Sequence, residues 1–285
     1  MNERSAKDLY GLIGSPVKHS ISPKVHNYFA EQTQQAIRYE LVESSPDDFA
    51  GTLRSFIKRG AKGANITLPF KQQACRIAET TSPRARIADA ANTLFIHNEQ
   101  VLYADNTDGI GLVKDLLEHC GVELAGKTIL VIGAGGAARG IIAPLLQAQV
   151  STLAITNRSM ERAAKLAQEF EGIGDVELYD FAELKDKYFD GIINATSASL
   201  YDEMPALPPS MQTQWGYDLV YQAKPTVFMQ RLGDWGVGAV FDGLGMLVAQ
   251  AAESFYLWRG VAPQITPVIA TLRQDMGYLN STILV

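Results

Sequence analysis

Between Thr128 and Ala138 the sequence TILVIGAGGAA runs an apolar, β-forming stretch directly into a glycine turn and the start of a helix. This feature constrains the fold more than any other in the chain. Gly133 permits the tight bend, Gly135 lets the backbone approach phosphate oxygens, and Ala138 is small where helix packs on strand. Ala134, Gly136 and Ala137 complete the turn, and the helix start presents amides with no partner inside the helix. A second apolar run, Leu153 to Thr156, follows within the span of about 30 residues that a βαβ unit requires. The reading is a doubly wound, parallel-sheet nucleotide-binding domain.

The residues that close the second strand select the nucleotide. An acid there would bond a ribose 2′-hydroxyl and repel a 2′-phosphate, whereas Asn157-Arg158-Ser159 supplies an amide, a guanidinium and a hydroxyl. Arg162 lies one helical turn beyond Arg158 and can face the same anion. The expected cofactor is therefore NADP. The alternative makes both arginines solvated helix-start residues, an unfavourable placement against the helix dipole that a bound phosphate would explain.

At 285 residues, 47% hydrophobic and 20% charged, the chain has the composition of a globular protein with room for two cores. A net charge of −6 without a dense Lys/Arg block argues against a nucleic-acid partner and for a small-molecule one. Met1 to Lys7 is polar, unlike a signal peptide. Ile129 to Leu146 is apolar enough to suggest a membrane span, but Arg139 and Pro144 favour strand, turn and helix instead, so no membrane partner is expected. Cys75 and Cys120 form no CxxC pattern, and His19, His26, His97 and His119 show no metal-ligand spacing beyond a loose His19/His26 pair. The expectation is reduced thiols in a cytoplasmic monomer or homodimer, with no metal.

The first hundred residues alternate short strands with amphipathic helices: Leu9–Ile13 and a helix after Pro23, Arg38–Val42 and Phe49–Arg59, Gly63–Ile66 and Lys71–Ala78. Thr93–His97 and Val101–Ala104 bracket Asn98-Glu99-Gln100 as a hairpin. A helix over Ile110–His119 leads into the nucleotide domain, whose further strands are placed at Val176–Tyr179, Gly191–Asn194, Tyr217–Val220 and Val237–Phe241. Met246–Trp258 is apolar nearly all round and reads as a buried helix returning between the domains. The expected division is 1–108 with 244–285 as an open α/β substrate domain and 109–243 as the NADP-binding domain, with hinges near Asp108 and Gly243.

Several polar clusters follow strand ends in the first domain, the position at which open α/β sheets bind ligands. Each also has a structural reading: Ser22 before Pro23 as a helix cap, Asn65 and Thr67 as turn caps, Lys71 as a first-turn residue, Asp108-Gly109 as a turn. Taken together with SPVKHSISPKVHN (15–27), NITLPFK (65–71), ANTL (91–94), DNTDG (105–109), GAGGAAR (133–139), NRS (157–159), NATS (194–197), YDLVY (217–221) and DGLGMLVAQA (242–251), they closely resemble the shikimate dehydrogenase family, in the family's order along nearly the whole chain.

The resemblance implies NADPH-dependent reduction of 3-dehydroshikimate to shikimate. It implies Ser20 and Ser22 at the substrate carboxylate, Asn65, Thr67, Lys71, Asn92, Asp108, Tyr221 and Gln250 around the ring, and Lys71 with Asp108 as the catalytic pair. For the cofactor it implies Gly133 to Ala138 at the pyrophosphate, Asn157, Arg158, Ser159 and Arg162 near the 2′-phosphate, and Thr196, Gly243 and Met246 also in contact. The chemistry agrees, because hydride transfer to a ketone builds negative charge on oxygen, and an ammonium both stabilises that charge and supplies the proton. Two positions depart from the family: Ser199 stands where glycine is usual, which bears on the loop beside the cofactor, and Asp89 stands where small residues precede Ala-Asn-Thr. The rivals are an NAD-preferring quinate/shikimate dehydrogenase, against which Asn157-Arg158-Ser159 speaks, and a catalytically silent nucleotide sensor, against which Lys71 and Asp108 speak. No GxSxG appears to suggest a hydrolase.

Overall fold

A computed structural model describes residues 7–97 and 101–277. The chain divides into two compact units, one running to Asp108 and including Val248–Val268, the other built from Gly109–Leu247 and the residues from Ile269 onward.

In the first unit the chain runs β1 (Asp8–Gly14), α1 (Ser22–Thr33), β2 (Ile37–Glu43), α2 (Phe49–Lys58), β3 (Ala61–Ile66), α3 (Lys71–Ile77), β4 (Thr80–Thr81), α4 (Pro83–Ala88), β5 (Thr93–His97) and β6 (Val101–Asp105). The sheet order is β2-β1-β3-β5-β6-β4, and β5 alone runs against the others. Strand order reverses across β1 and β3, so the loops after these two strands open at the place where such sheets hold ligands. Phe49, Leu53 and Phe56 recur at helical spacing on α2 and are all buried, and Phe49 stacks on Phe70 at 4.9 Å between ring centres. Asp48 caps the helix by accepting from the Gly51 amide at 3.1 Å.

The second unit follows as α5 (Asp108–Glu118), β7 (Thr128–Ile132), α6 (Gly136–Gln147), β8 (Thr152–Thr156), α7 (Met160–Glu169), β9 (Val176–Leu178), β10 (Tyr188–Asn194), β11 (Gln212–Asp218), α8 (Val227–Asp234), β12 (Ala239–Asp242), α9 (Leu244–Arg259) and α10 (Thr266–Asp275). Asp108, the first residue of α5, still counts with the first unit, and α9 passes from one unit to the other after Leu247. All six strands are parallel in the order β12-β11-β10-β7-β8-β9, the doubly wound nucleotide-binding arrangement. Helices cover both faces of such a sheet, which is why Ile129, Leu130, Val131 and Ile132 are all fully buried rather than alternating. Gly191 faces the Trp215 ring on the neighbouring strand, and a Cβ there would stand 2.1 Å from Cζ2. Gly191→Ala is expected to destabilise the protein by about 1–3 kcal/mol through overpacking. A lowered urea midpoint checks this, and an unmoved midpoint contradicts it.

Several element boundaries differ from the sequence reading. The strand placed at 217–220 spans Gln212–Asp218, because the Asp218 carboxylate accepts from the Val220 amide at 3.1 Å and turns the chain out of the sheet. The strand placed at 237–241 runs from Ala239 to Asp242. β4, α4 and α10 were not anticipated: β4 is two residues long, and α4 is short and held by its Ser82 cap on the Ala85 amide. The hairpin pairs Thr93 with Asp105 through His97 with Val101, while its turn at Asn98–Gln100 and the residues before Lys7 lie outside the described residues. No helix among the described residues is long and apolar enough to cross a membrane.

Candidate active site

Lys71 opens α3 directly after the β3 loop, where a cation opposes the helix dipole, and Asp108 opens α5, where an anion is favoured. The two meet: Lys71 Nζ lies 2.5 Å from Asp108 Oδ2, with the side chains only 15% and 6% exposed. Asn92 Nδ2 donates to Asp108 Oδ1 at 2.8 Å, and the Asp108 amide is held by Asn106 Oδ1 at 3.1 Å. Both carboxylate oxygens are thus engaged, which fixes the direction from which the ammonium is held.

Around this pair the first unit gathers most of the anticipated polar residues. Gln250 Oε1 accepts from Asn92 Nδ2 at 3.1 Å, and Asn65 Nδ2 donates to the Asn92 carbonyl at 3.2 Å. Ser20, in the loop after β1, donates to the hydroxyl of Ser22, the first residue of α1, at 3.0 Å, and Ser22 is buried. Thr67 is half-buried in the loop after β3, its amide bonded to the Ile13 carbonyl. Tyr221 belongs to the second unit, half-buried after β11. Sequence reasoning passed over Tyr39, which donates to Asn65 Oδ1 at 2.8 Å, and Ser254, which accepts from Asn65 Nδ2 at 3.0 Å. The spacing of Gln250 and Ser254, one turn apart on an otherwise apolar helix, was the available signal for the latter.

In the second unit Gly133 has φ +116°, a conformation that favours glycine, and a Cβ would approach Thr196 Cγ2 at 3.1 Å. Added Cβ atoms at Gly135 and Gly136 would meet nothing within 4 Å, and α6 begins without a side-chain cap, so its first amides face open space. Thr196 is pinned by two bonds to Asn194 Oδ1, at 2.7 and 3.1 Å. Ser199 is buried, donates to Asp218 Oδ2 at 2.6 Å and needs no left-handed backbone, so serine is accommodated where glycine is usual. Asp89, by contrast, does adopt φ +42°, with its carboxylate held by Gln72 and Arg76.

No acidic residue stands at the end of β8, where Asn157-Arg158-Ser159 follows Thr156. Asn157 Nδ2 bonds the Ser159 carbonyl at 2.9 Å, Ser159 caps α7, and Arg158 and Arg162 are exposed with no ion-pair partner among the described residues. Gly243 packs against the Leu219 carbonyl, leaving no room for a side chain, and the Met246 amide donates to Tyr217 Oη at 3.3 Å. These residues fit a phosphorylated dinucleotide: bare glycine backbone and uncapped amides for a pyrophosphate, unpaired guanidinium groups for a further phosphate. Among the described residues, no group of three or more His, Cys, Asp or Glu side chains is placed to hold a metal ion.

Sheet order and glycine turn define a Rossmann-type dinucleotide-binding protein. Family profiles for the shikimate dehydrogenase substrate binding domain, shikimate / quinate 5-dehydrogenase and the shikimate 5′-dehydrogenase C-terminal domain match residues 12–94, 114–202 and 243–273. A shikimate dehydrogenase (NADP(+)) of Chromohalobacter salexigens is 49% identical over 94% of this chain and 99% of its own. Among solved structures, an Ael1 enzyme from Pseudomonas putida is 40% identical with a TM-score of 0.88, covering 93% of this chain and 98% of its own. Shikimate 5-dehydrogenase from Thermus thermophilus in complex with NADP(H) and shikimate is 31% identical with a TM-score of 0.83, covering 94% and 99%. The chain belongs to the shikimate dehydrogenase family.

Proposed function

We propose that this protein catalyses the reversible NADPH-dependent reduction of 3-dehydroshikimate to shikimate, with Lys71 and Asp108 as its acid/base pair. The observation that carries the reading is the Lys71–Asp108 contact at 2.5 Å in a largely buried polar cluster. When bound, the cofactor supplies the hydride. As charge develops on the carbonyl oxygen, Lys71 Nζ stabilises it and releases a proton to it, and in the alcohol-oxidising direction takes the proton back. Asp108 and Asn92 orient the ammonium. Ser20 and Ser22 bind the substrate carboxylate, and Asn65, Thr67, Asn92, Tyr221 and Gln250 bind its ring hydroxyls.

In the second unit the turn from Gly133 to Ala138 holds the pyrophosphate, Asn157, Arg158, Ser159 and Arg162 hold the 2′-phosphate, and Thr196, Gly243 and Met246 line the remainder of the nucleotide site. Cys75 and Cys120 are free thiols, which fits a reducing cytoplasm. A panel of shikimate and quinate against NADP⁺ and NAD⁺ tests the reading on the purified protein. Shikimate with NADP⁺ is expected to give the highest kcat/KM, and absence of turnover with that pair rejects the assignment.

A further inference from the structure

The geometry points to Tyr39 and His26 as positioning residues for substrate recognition, acting through the amide of Asn65. The inference rests on the shikimate reading above. Asn65 Nδ2 lies 3.2 Å from the Asn92 carbonyl, which can only accept, so the nitrogen must face that side and Oδ1 the other. On the other side Oδ1 has two neighbours, Tyr39 Oη at 2.8 Å and His26 Nε2 at 3.1 Å. Both must donate. His26 therefore carries its proton on Nε2, and its Nδ1 is bare, buried and without a partner.

That orphaned nitrogen makes the residue informative. His26 is fully buried, stacked on Tyr39 at 4.3 Å and 10° and surrounded by Phe29, Phe255 and Trp258. Burial holds the imidazole neutral, its pKa lowered to about 3 against the bond to Asn65. A hydrocarbon side chain would fill the same space without an unmet polar atom, so the feature particular to histidine here is the Nε2 hydrogen. Tyr39 does the complementary work. Its hydroxyl donates to Asn65 Oδ1 at 2.8 Å, tying β2 to the end of β3.

With both lone pairs of Oδ1 occupied, the Asn65 amide cannot turn over: one Nδ2 hydrogen stays on the Asn92 carbonyl and the other is directed at Ser254 Oγ, 3.0 Å away, and it is this second hydrogen that a substrate hydroxyl would share with Ser254. Losing either donor loosens the Asn65 amide, one of the groups proposed to read the substrate, while leaving the bond between Lys71 and Asp108 intact.

Tyr39→Phe keeps the ring and removes the hydrogen bond to Asn65 Oδ1. It is expected to raise KM for shikimate about tenfold, the equivalent of one buried hydrogen bond, with kcat within about twofold and KM for NADP⁺ unchanged. His26→Leu is expected to do the same, whereas His26→Gln, whose amide nitrogen reaches the place of Nε2, restores KM. Because Tyr39 acts through Asn65, its effect is expected to shrink in an Asn65→Ala background. A purely structural role would lower the urea midpoint and leave KM of the folded enzyme alone. An unmoved shikimate KM in Tyr39→Phe overturns the inference, as does a full, additive effect in the Asn65→Ala background, and Tyr39→Phe decides even where His26→Leu fails to fold. Wild-type protein inactive on shikimate rejects the functional reading itself, whereas active wild type with unmoved variants rejects this inference alone.

Discussion

Lys71→Ala is expected to lower kcat for shikimate oxidation by about 10²- to 10⁴-fold, the range over which a positioned general acid or base acts. The size follows from what the substitution removes. The ammonium is the charge held 2.5 Å from Asp108, and no other Lys or Arg is ion-paired with that carboxylate among the described residues. Without it, charge on the reacting oxygen would be met by amides and hydroxyls alone, and the proton would have to come from solvent. Asn92 would still hold Asp108 Oδ1, so the cluster has a reason to keep its shape and the loss to fall mainly on kcat. Steady-state kinetics on the purified variant, with NADP⁺ binding as a control for folding, make the measurement. Near-parental turnover would move the proton-transfer role to another residue.

Arg158→Ala is expected to raise KM for NADPH by about 10- to 100-fold, as loss of a charge-assisted contact to phosphate would, while leaving NADH little changed. Arg158 is exposed, has no ion-pair partner among the described residues and directly follows the strand end at which a carboxylate would otherwise select a free ribose. Its neighbour Arg162 stands one turn further along α7. The double variant is therefore expected to lose more of the preference for NADPH than either alone. Equal losses for the two nucleotides would show that Arg158 does not read the 2′-phosphate.

Local features of this protein were legible residue by residue. The turn at Gly133 was readable because a strand, a φ that favours glycine and a helix start are all encoded within a dozen neighbouring residues. The amphipathic face of α2 was readable from the spacing of Phe49, Leu53 and Phe56. The end of β11 was misplaced by two residues because it is set by the Asp218 carboxylate folding back on Val220, a side-chain bond that hydrophobic pattern does not register. β4 escaped notice because its two residues exist as a strand only by pairing with β6.

The same division runs through the site. Ser20, Ser22, Lys71, Asn92 and Asp108 stood out because they crowd strand ends in short motifs. Tyr39, His26 and Ser254 did not, since in sequence they are a β-strand tyrosine, a helical histidine and a helical serine of no evident consequence. The amino-acid sequence by itself determined the two α/β architectures, the glycine turn, the absence of an acid after β8 and the identity of the proton-transfer candidates, all of them consequences of short-range pattern and residue chemistry. Only the tertiary structure decided which of those groups meet. The bond from Asn65 to Ser254 joins residues 189 apart, and that from Lys71 to Asp108 joins residues 37 apart. Such contacts become favourable when burial strips water from both partners at once, and burial is a property of the folded chain rather than of any stretch within it.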